Sequence, residues 1–344
     1  APGALTGTSA PSAARFVVAG RSPLTGIFGD ANSGGYFGPM LKRAGYSLLI
    51  ITGQSPRPVY LRIDDDHVEL RDAQHLWGKE VHEATDIINQ TEGKGFRVAT
   101  IGPAGENLVR IAGVMADKEH AAGRTGLGAV MGSKKLKAIA VRPAKNTRIS
   151  VADREGLKVA QKVYGRLIKD SQFLKGLSAA GTGGSVSFLL SIGDCPIDNW
   201  TSTGIEALPD GARLDSANMG VYKLKAYGCN ACPVRCGALV RVDEGPYASQ
   251  DETHRPEYET LGALGANCRN VSAESIIRAN ELCNRYGIDT ISVGGVIAFA
   301  MECYENGIID AGDTGGLELN WGNSLALVAL TEQIGKREGF GAVL

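Results

Sequence analysis

Tyr227-Gly228-Cys229-Asn230-Ala231-Cys232-Pro233-Val234-Arg235-Cys236-Gly237 is the stretch against which the rest of this chain is read. Its thiols follow a Cys-x2-Cys-x3-Cys spacing. A tight turn through Asn230-Ala231 and a second around Pro233 can swing the sulfurs to the same side. Closely spaced, thiolate-only ligation suits one metal centre, either zinc or an iron–sulfur cluster. Structural zinc more often joins two separate Cys-x2-Cys knuckles, and the sequence has neither a second knuckle nor a nearby Cys/His pair. A cubane cluster takes three ligands from a compact run and a fourth from afar, so iron–sulfur leads, with zinc and ordinary buried cysteines as the alternatives. Cys195, Cys268, Cys283 and Cys303 are each isolated and read as small core residues.

At 344 residues and 43% hydrophobic content the chain is long enough for two globular domains. A net charge of -1 gives no footprint for nucleic acid or an anionic membrane, and neither is expected as a partner. Seven cysteines, odd in number and clustered, do not resemble a secreted disulfide framework and point to a reducing, cytoplasmic compartment. No run reaches the roughly 18 apolar residues of a membrane helix, and the start lacks the zones of a signal peptide. The 46 glycines are about twice the usual share of roughly 7%. They gather where backbone must bend or lie against a ligand. Both ends, Ala1-Pro2-Gly3 and Gly339 to Leu344, look cut.

Along the chain, Arg15 to Ala19 reads as a strand between two turn-forming stretches. Asp30-Ala31-Asn32-Ser33-Gly34-Gly35-Tyr36-Phe37-Gly38 then reads either as a plain glycine-rich turn or as a nest of amides for an anion, with Asn32 offering oxygen to a hard cation. Lys42 to Tyr46 ends a helix at Gly45, and Leu48-Leu49-Ile50-Ile51 reads as a buried strand. Val59 to Ile63 and His67 to Arg71 alternate around Asp64-Asp65-Asp66 as a hairpin with a solvated turn. Residues 79–91 form an amphipathic helix and Arg97 to Ile101 a strand. Glu119 to Gly132 is a second glycine-rich loop opening a helix, a geometry that favours phosphate, although its spacing is not the dinucleotide fingerprint. The strand Ala138 to Val141 follows. After Pro143 helical periods take over, which places a domain boundary near residue 149. Leu157, Val163, Leu167 and Ile168 mark one helix, and Ser272 to Tyr286, Thr290 to Tyr304 and Asn323 to Arg337 are three more. The first of these three is capped by Ser272 and stopped by Gly287, while Asp289 is the N-cap of the second.

The expected architecture is therefore an α/β (α+β) N-terminal domain over 1–149 with two candidate phosphate nests, then a mainly α-helical domain over 150–344 carrying the thiolate cluster. Such a pairing fits a redox enzyme that couples an organic cofactor to an electron relay. At this point a family resemblance enters. Leu-Thr-Gly-Thr (5–8), Ser-Pro-Leu-Thr-Gly (22–26), Asn-Ser-Gly-Gly-Tyr-Phe-Gly (32–38), Ile-Gly-Pro-Ala-Gly-Glu-Asn (101–107), the run from Ala121 to Lys134, the cysteine stretch, Pro-Glu-Tyr-Glu (256–259) and Tyr-Gly-Ile-Asp-Thr-Ile-Ser (286–292) together resemble the tungsten-containing aldehyde ferredoxin oxidoreductase family along essentially the whole chain.

The resemblance implies a tungsten bis-pterin cofactor (tungstopterin) with Mg2+ at the pterin phosphates, beside a 4Fe-4S cluster. It also implies aldehyde oxidation to carboxylate, with electrons passed to ferredoxin or an electron-transfer subunit, in an oligomer. By motif position Cys229, Cys232 and Cys236 are the cluster ligands. Asn32, Gly34, His120, Ala121 and Gly123 match pterin-phosphate and magnesium contacts, and Arg15 matches a residue between pterin and cluster. Asn284, Ile288 and Asp289 match a second set of pterin contacts. Glu259 matches an acidic residue near the metal that orients water or shuttles a proton; the alternative is a paired structural carboxylate. The family continues beyond residue 344, where its fourth cluster cysteine lies. His120 and Asn284 stand where relatives often carry arginine and aspartate. Arg278 and Glu281 replace a Glu-x-x-His pair that holds an intersubunit metal in some relatives, so no such metal is expected. Two other functions compete: a reductase subunit acting on an aromatic acyl-CoA thioester such as benzoyl-CoA, and a non-catalytic iron–sulfur electron-transfer module.

Overall fold

A computed structural model of the chain describes residues 1–215, 217–249 and 251–344. Two compact units share it. One gathers Ala1–Lys175, Gly228–Arg235 and Asn284–Ile288, and the other Gly176–Tyr227, Cys236–Cys283 and Asp289–Leu344.

In the first unit, β1 (Phe16–Arg21) and β2 (Phe28–Ser33) form an antiparallel ladder with Phe16 opposite Ser33. Ser22 closes the turn between them by accepting from the amides of Leu24 and Thr25, each at 3.2 Å. Asp30 to Ser33, expected within a glycine-rich turn, thus lies in a strand, and the turn begins only at Gly34. The reason is alternation: Gly29, Ala31 and Ser33 are the buried positions of β2, which leaves Asp30 and Asn32 facing outward.

A separate six-stranded mixed sheet comprises β3 (Val59–Asp64), β4 (His67–Asp72), β5 (Arg97–Thr100), β6 (Val114–Ala116), β7 (His120–Ala122) and β8 (Leu136–Arg142) in the order β4-β3-β8-β5-β6-β7. Only β3 and β8 run parallel among these pairs, which separates the sheet from a doubly wound dinucleotide fold. The expected β3/β4 hairpin is present, and Asp64 beside its turn is held by Arg62 and Arg142. Leu48-Leu49-Ile50-Ile51 is not a buried strand. Leu48 and Ile50 are 57% and 78% exposed. β3 already has a partner on each side, and the backbone just beyond is tied to the end of a helix, with Ser55 N donating to Lys134 O at 3.1 Å.

Helices α1 (Phe37–Arg43), α2 (Val81–Glu92), α3 (Pro103–Glu106) and α4 (Leu127–Ser133) pack this unit. α2 buries Val81, Ala84, Thr85 and Ile88, the one-face spacing of an amphipathic helix, with Ile88 among Phe96, Val98 and Leu76. α3 and α4 meet backbone to backbone. A Cβ on Gly132 would sit 1.9 Å from the Gly105 carbonyl oxygen, and one on Gly128 2.3 Å from that of Gly113. Those two glycines of the second glycine-rich stretch therefore serve helix packing. α5 (Arg154–Asp170) starts on an Asp153 cap, whose carboxylate accepts from Gly156 N at 2.8 Å, and none of its residues is buried.

The second unit is mainly helical, as its periodicity predicts. Beyond α6 (Gln172–Ala180) it holds α7 (Val186–Ser191), α8 (Tyr258–Thr260), α9 (Ala273–Tyr286), α10 (Thr290–Glu305) and α11 (Ser324–Lys336), together with a three-stranded antiparallel sheet of β9 (Lys223–Tyr227), β10 (Gly237–Val240) and β11 (Thr253–His254). α8 runs into a buried π-turn, Leu261–Gly265. Ser272, Asp289 and Asn323 cap α9, α10 and α11, and Gly287 beyond α9 takes a φ of +73°. Among the described residues no helix is long and apolar enough to cross a membrane.

One buried ion pair anchors the central strand of the first unit. Lys137 on β8 donates to Lys79 O at 2.7 Å and to the Glu106 carboxylate, whose other oxygen accepts from Gly78 N at 2.6 Å. Both side chains are shut away from water, and burial raises the Glu106 carboxyl and lowers the Lys137 ammonium despite their attraction. Glu106→Gln keeps an acceptor for Gly78 but leaves a buried cation without its counter-charge, and is expected to cost about 3 kcal/mol. The fall in urea midpoint at unchanged slope measures it.

Candidate functional site

The cysteine stretch is the connection of a hairpin. Tyr227 at the end of β9 pairs with Gly237 at the start of β10, so residues 228–236 leave and return through one stem. Within it Cys232 N donates to Cys229 O at 3.1 Å, which closes the expected turn through Asn230-Ala231, and Ala231 adopts a φ of +54°. The second left-handed residue is Arg235, with φ +52°, two positions beyond Pro233. Left-handed backbone at non-glycine residues is uncommon and persists where surrounding contacts impose it. Those contacts are visible in the first unit. Asn230 N donates to Gly35 O at 3.2 Å, and Tyr36 donates its hydroxyl proton to Gly228 O at 3.0 Å.

Several residues singled out from separate motifs meet around Cys229. A Cβ on Gly34 would lie 2.9 Å from Cys229 Sγ, so the sulfur occupies the space a side chain would need. His120 Nε2 stands 3.9 Å from the same sulfur, and Ser33 Oγ donates to His120 O at 2.9 Å, fastening β2 to β7. Arg15 donates from Nη1 to Asn32 Oδ1, so the Asn32 oxygen read as a cation ligand here serves a guanidinium. Burial pushes the Cys229 thiol up, as does neighbouring Cys232, against the Gly35 backbone and Arg15. Ser12 Oγ lies 3.4 Å from Cys232 Sγ. Ala121 continues β7 opposite Met115, and Gly123 passes so close that a Cβ on Gly113 would touch its Cα at 2.8 Å.

The amides beyond the Gly34-Gly35 pair do converge on an anion, and it is a protein carboxylate. Tyr36 N and Phe37 N both donate to Asp117 Oδ2, at 2.7 and 3.1 Å. Burial raises the Asp117 carboxyl against these two bonds and the Arg97 charge. Sequence reading missed Asp117. Its one signal is the polar Asp117-Lys118 pair between two apolar strands.

Asn284 and Ile288 also belong to this unit. Ile288 forms a bridge with Ala112, and Gly113 N donates to Gly287 O at 2.8 Å. Asn284 is 5% exposed, and its Nδ2 has no hydrogen-bond partner among the described residues. A buried amide donor left unmatched costs about 1–3 kcal/mol, so an acceptor supplied from outside the chain would relieve it.

In the second unit, Asp289 caps α10, accepting from Ser292 N at 3.2 Å and Ser292 Oγ at 2.6 Å. Glu259 sits on α8, exposed, with no hydrogen bond or ion pair among the described residues. Around Cys236 the structure reveals a group that the sequence reading passed over. Arg255, buried, donates from Nη2 to Cys236 O at 2.8 Å and from Nη1 to Ala179 O at 3.3 Å. Beside it runs a chain of side-chain hydrogen bonds: Tyr227 to His254, His254 Nε2 to Glu257 Oε1 at 2.7 Å, and Thr182 Oγ1 to Glu257 Oε2, with Tyr258 N donating to Thr182 Oγ1 at 2.8 Å. The signal lay in His254-Arg255-Pro256-Glu257, four polar or rigid residues leading into a buried apolar segment. Cys195, Cys268 and Cys283 are buried as expected. Arg278 pairs with Glu281 at 2.7 Å, and Ser249 donates to Glu281 at 2.9 Å.

Among the described residues no three His, Cys, Asp or Glu side chains are grouped to hold a single metal ion. A multi-iron cage gives each thiolate its own iron and does not require one shared coordination sphere. The free, half-buried Cys229 and Cys232, the sulfur seated where Gly34 has no side chain, and the unmatched Asn284 donor fit a thiolate-bound cluster beside a ligand rich in acceptors.

Comparison with known proteins bears on the same residues. The family model "Aldehyde ferredoxin oxidoreductase, N-terminal domain" matches residues 1–143, and "Aldehyde ferredoxin oxidoreductase, domains 2 & 3" matches residues 158–344. The tungsten-containing aldehyde ferredoxin oxidoreductase of Pyrococcus furiosus is 45% identical over 343 residues, covering 99% of this chain and 55% of that protein. Its counterpart in Thermococcus kodakarensis is 43% identical over the same shares. The chain thus spans about half the length of the curated relatives it matches. Among solved structures, the active site complex BamBC of benzoyl coenzyme A reductase, in complex with 1,5 dienoyl-CoA, superposes with a TM-score of 0.85 at 29% identity, over 100% of this chain and 52% of that one.

The Glu257 network predicts a pH effect. Burial works to raise this carboxyl, but His254, Thr182 and Arg255 together hold it below the usual value of 4.5. A carboxyl depressed in the folded state lends stability that is full above its unfolded value and is lost as pH falls through the folded one. Urea midpoints are expected to decline below about pH 4.5 through this group, and Glu257→Gln to lower the neutral-pH midpoint while flattening that part of the acid limb.

Proposed function

The chain belongs to the aldehyde ferredoxin oxidoreductase family, and from that premise we propose that the whole protein oxidises an aldehyde, with water, to a carboxylate, releasing two electrons and protons. When bound, a tungsten ion held by two pterins supplies the two-electron redox centre, a 4Fe-4S cluster supplies the one-electron exit towards ferredoxin or an electron-transfer subunit, and Mg2+ neutralises the pterin phosphates. The protein's own residues divide into three groups. Cys229, Cys232 and Cys236 would hold the cluster, with a fourth ligand from beyond residue 344. Arg15, Asn32, Gly34, His120, Ala121 and Gly123 would hold one face of the pterin pair through a guanidinium, an imidazole and closely approaching backbone. Asn284, Ile288 and Asp289 would hold the other, Asn284 through its unmatched buried donor. On this reading residues 1–149 form the pterin-binding domain and 150–344 the helical domain, in a cytoplasmic oligomer.

The observation that carries the reading is the meeting of Gly34, His120 and Cys229. Residues far apart in sequence and assigned to two different groups lie within contact of one sulfur. Glu259 is exposed and has no partner among the described residues, which leaves its carboxylate available to orient a water or accept a proton. The likeness to the benzoyl coenzyme A reductase complex supports a second reading, reduction of an aromatic thioester. The higher identity to the aldehyde enzymes, 45% against 29%, favours the first.

In the full-length protein purified without oxygen, Glu259→Gln is expected to lower dye-coupled aldehyde turnover about 100-fold or more while tungsten and iron contents stay at the parent level. Unchanged turnover would remove Glu259 from the chemistry. Turnover of an aromatic acyl-CoA thioester, with none on a panel of aldehydes, would select the second reading instead.

A further inference from the structure

A cavity of about 600 Å³ opens in the first unit, on the side of the cysteine turn formed by Asn230 and Ala231. Arg43, Arg148, Arg154 and Lys158 contribute to its wall, and among the described residues that line it there is no Asp or Glu. Two neighbouring carboxylates are accounted for. Asp153 caps α5, and Glu155 pairs with Lys158 at 2.7 Å on the solvent side, where such a pair neutralises little. The chain as a whole carries -1, so this concentration of positive charge is local. Arg43 is fixed by donating to Gly7 O at 3.3 Å, and Gln161 on α5 donates to Ser9 O at 2.6 Å, so the loop at residues 7–9 and the helix form a preset wall. α5 itself has no buried residue and presents its cations to solvent.

We propose that this basic cavity is the docking surface for an acidic one-electron carrier protein. The inference rests on the reading of Cys229 and Cys232 as cluster ligands. Two observations select that occupant. Among the described residues Arg43, Arg148 and Arg154 have no acid partner, and this unbalanced charge steers an acidic surface towards the wall and orients it on arrival. The wall also includes the two residues lying between those cysteines, so a carrier seated there stands against the turn that holds the thiolates. The two electrons from each turnover then leave one at a time, each reducing one oxidised carrier.

The test uses the full-length, metal-loaded protein and the triple variant Arg148→Glu, Arg154→Glu, Lys158→Glu, with an acidic ferredoxin or flavodoxin-type carrier as acceptor and a small viologen dye as control. The expected result is a rise in KM for the carrier of about tenfold or more, with most of its salt sensitivity gone. Viologen turnover, iron content and the electron paramagnetic resonance signal of the reduced cluster should remain at parent values. Unchanged carrier KM and salt dependence, with iron and viologen turnover intact, would overturn the docking proposal and leave the cluster reading standing. Equal loss of carrier and viologen turnover would also overturn it, since the charges would then act on the redox centres themselves. A parent protein free of iron would overturn the cluster reading, and the docking site with it.

Discussion

The sulfur of Cys229 occupies the space where residue 34 would carry a side chain, and much of the first unit is arranged to permit that approach. Any Cβ at 34 would push the sulfur away or force the cysteine turn to rotate. The neighbouring Gly35, left-handed at φ +80°, offers its carbonyl to Asn230 N and would set a Cβ against Asp117 and His120. Asp117 in turn gathers the amides of Tyr36 and Phe37, which start α1. A single backbone segment, 34–37, thereby fixes the position of a thiol, the orientation of an imidazole and the start of a helix. Such fixing is what a site needs when its reacting centre is a bound group whose atoms must be held to fractions of an ångström.

The elements that could be read from sequence alone are those whose causes are local. The Asn230-Ala231 turn, the hairpin around Asp65, the Ser272 and Asp289 caps and the stop at Gly287 all depend on residues within a few positions of one another. Family resemblance then gathered Gly34, His120 and Cys229 into one region, which no periodicity could have done. What escaped was decided at long range. Leu48 to Ile51 has the composition of a buried strand, but β3, the next strand along the chain, is already paired on both sides by β4 and β8. Arg255 was passed over because it depends on the pairing of β10 with β11, next to which its guanidinium meets the Cys236 carbonyl. Asp117 offered only a polar pair between two strands, because its value lies in two amides some eighty positions away.

Burial and charge divide the labour between the units. In the first, a fully enclosed ion pair, Lys137 with Glu106, fixes the central strand, and four cations line one cavity. In the second, Arg255 holds the Cys236 carbonyl, and Tyr227, His254, Glu257 and Thr182 form a chain of matched donors and acceptors beside it. Both are high-stakes arrangements, since a partly satisfied buried network is worse than an apolar one. Each therefore resists rearrangement within its own unit.

Asn284 gives the fold a built-in handicap. With its Nδ2 donors unmatched among the described residues, the fold would gain stability from an oxygen delivered to that spot, so occupancy and conformational lifetime would rise together. On the proposed reading, polypeptide still without its prosthetic group would open more often and meet cellular proteases sooner, and completed molecules would outlast incomplete ones without any dedicated inspector.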